Sequence, residues 1–221
     1  MHQTTLHFPQ IRLQRRDAHK LRGYFAQTFG QDSDLWHNHQ PDGRVIYRYP
    51  LIQYKVVRGA PMLVGINEGA QLLIQRFLTI KELEINEQRI AVEQKNLHSE
   101  EVEPKIDGRL HTYEFLSPWM ALNQKNYRHY RTLDEKARNK ELERILAGNM
   151  IHFFKGIDLF MEEHFMVTLP QVREIPIRFK NEVMTGFLGL FTTNVWLPNY
   201  IGLGKSAARG FGTIKARSFG G

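Results

Sequence analysis

The spacing of apolar residues switches from alternation to helical periodicity and back twice within the first half of the chain, and this order constrains the fold more than any other feature. Thr5-Leu6-His7-Phe8 alternates as a strand does, and Leu21, Tyr24, Phe25 and Thr28 then share one helical face, with Asp17 placed to cap the helix. Residues 31–43 are rich in turn formers, hold no sustained period and predict a loop. Residues 45–49 and 51–57 are extended, β-branched and aromatic, and Arg58-Gly59-Ala60-Pro61 turns the chain into residues 62–66, which predicts a hairpin. Ala70, Leu73, Ile74 and Phe77 recur at helical spacing after Asn67, which is placed as their cap, and residues 79–92 read as a last strand. The resulting βαββαβ order is that of a ferredoxin-like unit.

Residues 93–109 are polar around Ser99-Glu100-Glu101-Val102-Glu103-Pro104 and are read as a domain boundary. Beyond them His111-Thr112-Tyr113-Glu114-Phe115-Leu116 alternates, and residues 132–165 read as mostly helical behind a capping box at Thr132-Leu133-Asp134-Glu135. Gly148 and Gly156 are expected to break or bend that helix. Strand patterns return at 175–179, 185–191 and 212–216, an order that fits a second, irregular ferredoxin-like half. The expected fold is α+β, two tandem ferredoxin-like (RRM-like) domains with antiparallel sheets, over residues 1–95 and 108–221.

Charge narrows the partner class. Lys and Arg number 30 against 23 for Asp and Glu, a formal charge of +7, which favours a polyanion. Arg15, Arg16, His19, Lys20 and Arg22 add a basic strip at the start of the first helix. Cysteine is absent, which excludes disulfides, thiol nucleophiles and thiolate metal sites. The N-terminus has no apolar signal core and no run is long enough to span a bilayer, so a cytoplasmic location without membrane contact is expected.

Near the C-terminus, Gly202-Leu203-Gly204-Lys205-Ser206-Ala207-Ala208-Arg209-Gly210-Phe211-Gly212 sets four glycines around two cations, just before a short strand. Glycine lets backbone N–H groups approach a phosphate closely, and Lys205 and Arg209 supply charge for it. Gly204-Lys205-Ser206 copies the end of a nucleotide-binding P-loop. The first glycine of that motif would stand at Asn199, however, and the residues after Ser206 lead into a strand where a P-loop leads into a helix. A glycine-rich hairpin that merely turns is the plain competitor, and the two cations weigh against it.

This loop, at the end of a basic chain with tandem ferredoxin-like order, resembles the glycine-rich loop of the CRISPR repeat-processing endoribonucleases of the repeat-associated RNA-binding superfamily. His37-Asn38-His39, followed by Tyr47 and by Tyr49-Pro50-Leu51-Ile52-Gln53-Tyr54-Lys55, is similar to the variant of that family found with type I-B systems. The resemblance implies cleavage of CRISPR precursor RNA within its repeats to make guide RNA, with no cofactor.

RNA can be cut without a metal when its own 2′-hydroxyl attacks the neighbouring phosphorus, leaving a cyclic phosphate and a 5′-hydroxyl. Such a site needs a base, an acid and donors for the charged phosphate. Histidine, with an unperturbed pKa of roughly 6.5, suits both proton transfers. In an extended loop His37 and His39 point to one side, whereas in a helix they do not. His-x-His is also a metal-ligand fragment, but no third ligand stands at characteristic spacing, so no metal site is expected. Within the resembling family a histidine after the first helix performs acid–base chemistry, which makes His39 the first catalytic candidate and His37 the second. Tyr47 is the third, as a phenol that orients the hydroxyl or packs in the sheet. Many members of the family use a lysine near the phosphate, for which Lys20 and Lys55 are the nearest in sequence.

The resemblance places repeat RNA on Gly202, Gly204, Lys205, Arg209, Gly210 and Gly212, and charge alone adds Arg44 and Arg48 as phosphate contacts. CRISPR effector-complex subunits and a second copy of the chain stay open as further partners. A reading from another class is a non-catalytic RNA-binding subunit of such a complex, against which the histidine pair argues.

Overall fold

The computed structural model describes residues 1–37, 48–179 and 182–217. These form two compact units: Met1–Val102 together with Ala208–Gly210, and the remainder from Glu103 onward. Each unit is ferredoxin-like.

In the first unit the order is β1 (His2–His7), α1 (Ala18–Phe29), β2 (Ile52–Val57), β3 (Ala60–Ile66), α2 (Glu68–Arg76), β4 (Glu82–Ile85), β5 (Gln88–Ala91) and β6 (Asn96–Glu101). The antiparallel sheet runs β2-β3-β1-β6. Arg58 and Gly59 carry positive φ of 50° and 83°, and Val57 pairs with Ala60, which is the two-residue turn geometry that matches strand twist. Leu6, Leu63 and Tyr54 lie side by side across the sheet and bury their side chains under Leu21 and Phe25 of α1. Each such large apolar group contributes roughly 1.5–3 kcal/mol on burial. Asp17 precedes α1 without capping it. Its carboxylate accepts from Gln14 N at 3.0 Å and pairs with Lys20 at 3.0 Å. Asn67 likewise spends its side chain elsewhere, accepting from His2 N at 3.1 Å. Thr28, expected on the buried face of α1, is exposed.

The last strand of this unit differs from the sequence reading. Residues 79–92 hold a separate two-stranded hairpin, β4–β5, turning through Asn86 and Glu87 at φ 57° and 64°. The fourth strand of the main sheet is β6, inside the polar stretch that was expected to be a boundary, and β7 (Lys105–Phe115) begins there too. Ser99, Glu100 and Glu101 of β6 are all exposed, so the strand lacks the alternation that betrays a half-buried one.

The second unit contains β7, α3 (Gln124–Thr132), α4 (Glu135–Gly156), β8 (Val167–Phe179), β9 (Glu182–Trp196) and β10 (Ile214–Ala216), with the antiparallel sheet order β10-β7-β9-β8. This matches the first sheet strand for strand, except that residues 197–213 replace the second helix, and the described part of them holds only the 3-10 turn Ala207–Arg209. The core packs Tyr113, Phe115, Trp119, Phe187 and Phe191 against one another, with the Phe115 and Trp119 rings 5.4 Å apart. Leu142, Leu146, Met150, Phe153 and Phe154 bury one side of α4. Asp134 caps that helix, accepting from Ala137 N at 2.8 Å, while Thr132 ends α3. Gly148 lies within unbroken helix and Gly156 is its last residue. Among the described residues no helix is long and apolar enough to cross a membrane.

Candidate functional site

Beyond α1 the chain makes the 3-10 turn Asp34–Trp36, whose start is closed by Ser33 accepting from Leu35 N at 3.2 Å. Trp36 is wholly buried, stacked at 5.8 Å on Phe25 and 5.3 Å from Phe29. Its carbonyl accepts from Tyr54 Oη at 2.9 Å. Removing both the indole and this bond from water fixes the point at which the next residue, His37, leaves the core.

His37 is half-buried and is held by backbone and ring alike. Its N–H donates to the Asp34 carbonyl at 3.2 Å, and its own carbonyl accepts from Nη2 of Arg22. The ring lies so close over Gly30 that a Cβ there would meet Cδ2 at 2.9 Å. His39, Arg44 and Tyr47 lie outside the described residues. Arg48, where the described chain resumes, donates from Nη2 to Asp34 Oδ1 at 2.8 Å. Residues 37 and 48, on either side of that interval, are therefore both fastened to Asp34. A phosphate approaching Arg48 has to compete with this carboxylate.

The glycine-rich loop sends Ala208–Gly210 to the same unit. Gly210 has φ 82°, and a Cβ on it would lie 2.9 Å from the Tyr54 carbonyl and 3.1 Å from Ala18 Cβ, so its backbone rests directly on β2 and α1. Arg209 precedes it. Arg22 stands one helical turn after Ala18 on the same face. Burial first, then the positive charge of Arg209, pushes the Arg22 guanidinium below its ordinary range, while Tyr54 opposes this. Among the sequence candidates the first unit thus brings together His37, Arg209 and Gly210. Arg22 was visible only as one cation in a basic strip, and its spacing from Ala18 was the one signal that set it apart from Arg15 and Arg16.

The lysines nearest in sequence behave differently. Lys20 is engaged by Asp17 and Asn86. Lys55 is buried on β2, adjacent in the strand to Tyr54 and so directed to the opposite sheet face, and burial pushes its ammonium down to about 7.

The earlier part of the loop belongs to the second unit. Gly202 bridges to Thr213, Leu203 N donates to Gly212 O at 2.9 Å, Gly212 N to Pro118 O at 2.9 Å and Lys205 N to Met120 O at 3.3 Å. Gly212, at φ 59°, has no room for a Cβ, which would fall 1.9 Å from the Leu203 carbonyl. Gly204, at φ 86°, is pressed against Trp119. These amides are spent inside the protein, so Gly204 and Gly212 serve close packing here. The Lys205 side chain is exposed and lines a cavity of about 610 Å³ with Tyr127, Asn123, Gln124 and Glu174. Ser206 leads into a three-residue turn and a strand, unlike a P-loop. Among the described residues no three His, Asp or Glu side chains converge as metal ligands.

Comparison with known proteins covers nearly the entire chain. Residues 1–103 match the family model of the Cas6b N-terminal domain and residues 105–217 that of the Cas6b C-terminal domain. An uncharacterised protein of Methanocaldococcus jannaschii, MJ0978, is 39% identical over 102 residues, which is 46% of this chain and 69% of that protein. A crystal structure of Cas6b is 36% identical and superposes with a TM-score of 0.91 over 98% of this chain and 100% of the other. A second, of the CRISPR RNA processing endoribonuclease Cas6b, is 32% identical with a TM-score of 0.78, again over 98% and 100%. With both halves matched in order and the site-bearing segments inside the matched spans, the chain belongs to the Cas6b family of CRISPR RNA endoribonucleases.

Proposed function

We propose that this chain cuts CRISPR precursor RNA within its repeats by 2′-hydroxyl attack, without a metal, leaving 5′-hydroxyl and cyclic phosphate ends. Membership of the Cas6b family carries the coarser statement, an RNA endonuclease of CRISPR RNA processing. The observation that supports the chemistry is the anchoring of His37 by Arg22, a guanidinium that feels the charge of Arg209. An imidazole can accept or donate a proton there, and fixed cations stabilise the extra negative charge of a pentacoordinate phosphate.

His39 is taken as the principal acid–base group, with His37 as its partner and Tyr47 as the phenol that orients the attacking hydroxyl. Lys205 and Arg209 hold the strand through phosphate, with Gly202, Gly204, Gly210 and Gly212 shaping the loop that presents them. Arg44 and Arg48 are assigned to neighbouring phosphates. Repeat RNA is the partner.

The test is cleavage of repeat RNA in EDTA by the unmodified protein and by His39→Ala. The unmodified protein is expected to cut, and the substitution to abolish cutting while leaving RNA affinity within a few fold. Tight binding with intact RNA from the unmodified protein would instead make the chain a non-catalytic RNA-binding subunit, and undiminished cutting by His39→Ala would remove that histidine from its role.

A further inference from the structure

Two arginines are brought to one side of the first unit. Arg22 reaches from α1 to the carbonyl of His37. Arg209 arrives from the far end of the sequence, delivered by Gly210, whose backbone packs on Ala18 one turn before Arg22 and on the carbonyl of Tyr54. Both side chains are half-buried. Two like charges on one side of a unit and partly out of water repel, and after burial the charge of Arg209 disfavours the ionised form of Arg22. An arrangement of this kind is relieved when an anion lies between the two forks, and phosphate oxygens match guanidinium geometry through paired N–H···O bonds.

We propose that Arg22 and Arg209 form a seat for one phosphate of the RNA strand, and that Arg22 is a positioning residue that ties this phosphate to the His37 segment. The assignment rests on the reading of the chain as a repeat-cutting ribonuclease. A guanidinium has five donors, so Arg22 can keep its bond to the His37 carbonyl while offering another edge to phosphate. A lysine ammonium has the charge without the planar fork. Arg22 therefore does two things that substitution can separate: it attracts the strand, and it sets where the strand lies relative to the imidazole.

The experiment compares Arg22→Ala, Arg22→Lys, Arg209→Ala and the double alanine variant. Affinity is measured on repeat RNA with a 2′-deoxy sugar at the cut, which cannot be cleaved, and rate is measured on the normal RNA in single turnover at saturating protein. Each alanine variant is expected to weaken affinity about fivefold, and the double variant by much less than the product of the two, because one phosphate is shared. Arg22→Lys is expected to keep affinity within about twofold of the parent while its saturated rate falls about tenfold or more. Fully multiplicative losses in the double variant would overturn the shared seat. A saturated rate unchanged in both Arg22 variants would overturn the positioning role, as would a rate loss matched by a fallen melting temperature. If the parent protein binds the RNA but never cuts it, the ribonuclease reading fails, while the coupling of the two arginines in affinity still decides the seat.

Discussion

Lys55 carries a charge that its surroundings oppose, and this has a pH signature. The unfolded chain keeps the ammonium proton up to roughly pH 10.4, whereas in the folded protein burial brings the group down to about 7. Between those values the unfolded state binds more protons, so folding stability rises with pH across that window, and the penalty is fully in force below about pH 7. A shift of this size is worth on the order of a few kcal/mol. We expect Lys55→Met to raise the melting temperature near neutral pH and to shrink the rise between pH 7 and 10, followed by thermal denaturation of both proteins. A parent and variant with parallel pH profiles would show that the ammonium stays charged on folding. At this scale the sequence singles out His37 as a candidate through the family resemblance, and Lys205 and Arg209 through their place among the glycines. It concealed Arg22 and Lys55, since only the packing of Gly210 on α1 and the burial of β2 distinguish these from other cations.

Among the elements, the hairpin β4–β5 was read as one strand because Leu83/Ile85 and Ile90/Val92 each alternate, although the phase of the alternation shifts across the turn at Asn86 and Glu87. Asn86 at the first turn position was the available clue. The hairpin is part of the first core: Leu83 and Ile85 are buried with Ile80, Leu73 and Phe25. Leu83→Ala should therefore destabilise the protein by about 2–4 kcal/mol, against less than ~0.5 kcal/mol for the exposed Arg89→Ala, as read by chemical denaturation. Equal effects would mean that the hairpin contributes little to the core. The strand β6 and the helix α3 escaped for the opposite reason. Every β6 residue except Leu97 is exposed, and α3 buries only Tyr130, so neither shows the period that burial imposes. The central strands β1, β3 and β9 and the buried end of β7 at Tyr113 and Phe115 were legible nonetheless, because burial gives them an apolar pattern.

For the molecule as a whole, the charge of +7 predicts RNA affinity that falls steeply with salt. Each phosphate contact to a single strand contributes roughly 0.7 to the slope of log affinity against log salt. Replacing Lys205 and Arg209 together by alanine should weaken binding and flatten that slope by about 1.4, measured by titration from low to physiological salt. An unchanged slope would remove both from the list of phosphate contacts. The repeated ferredoxin-like order was readable in outline, although the strand that closes the first sheet and the first helix of the second unit were not placed. The irregularity of the second half was readable too: the glycine-rich segment stands between β9 and β10, where the first unit has its second helix.

The membership of Ala208–Gly210 in the first unit has a consequence for biosynthesis. A ribosome finishes residues 1–102 long before it reaches these three, so the amino-terminal sheet and helices are made while the piece that rests on Ala18 and Tyr54 does not yet exist. Arg209 can join Arg22 only after residues 103–207, most of the second unit, have been made. A polypeptide cut short before residue 208 thus lacks the segment that carries Arg209 to the first unit.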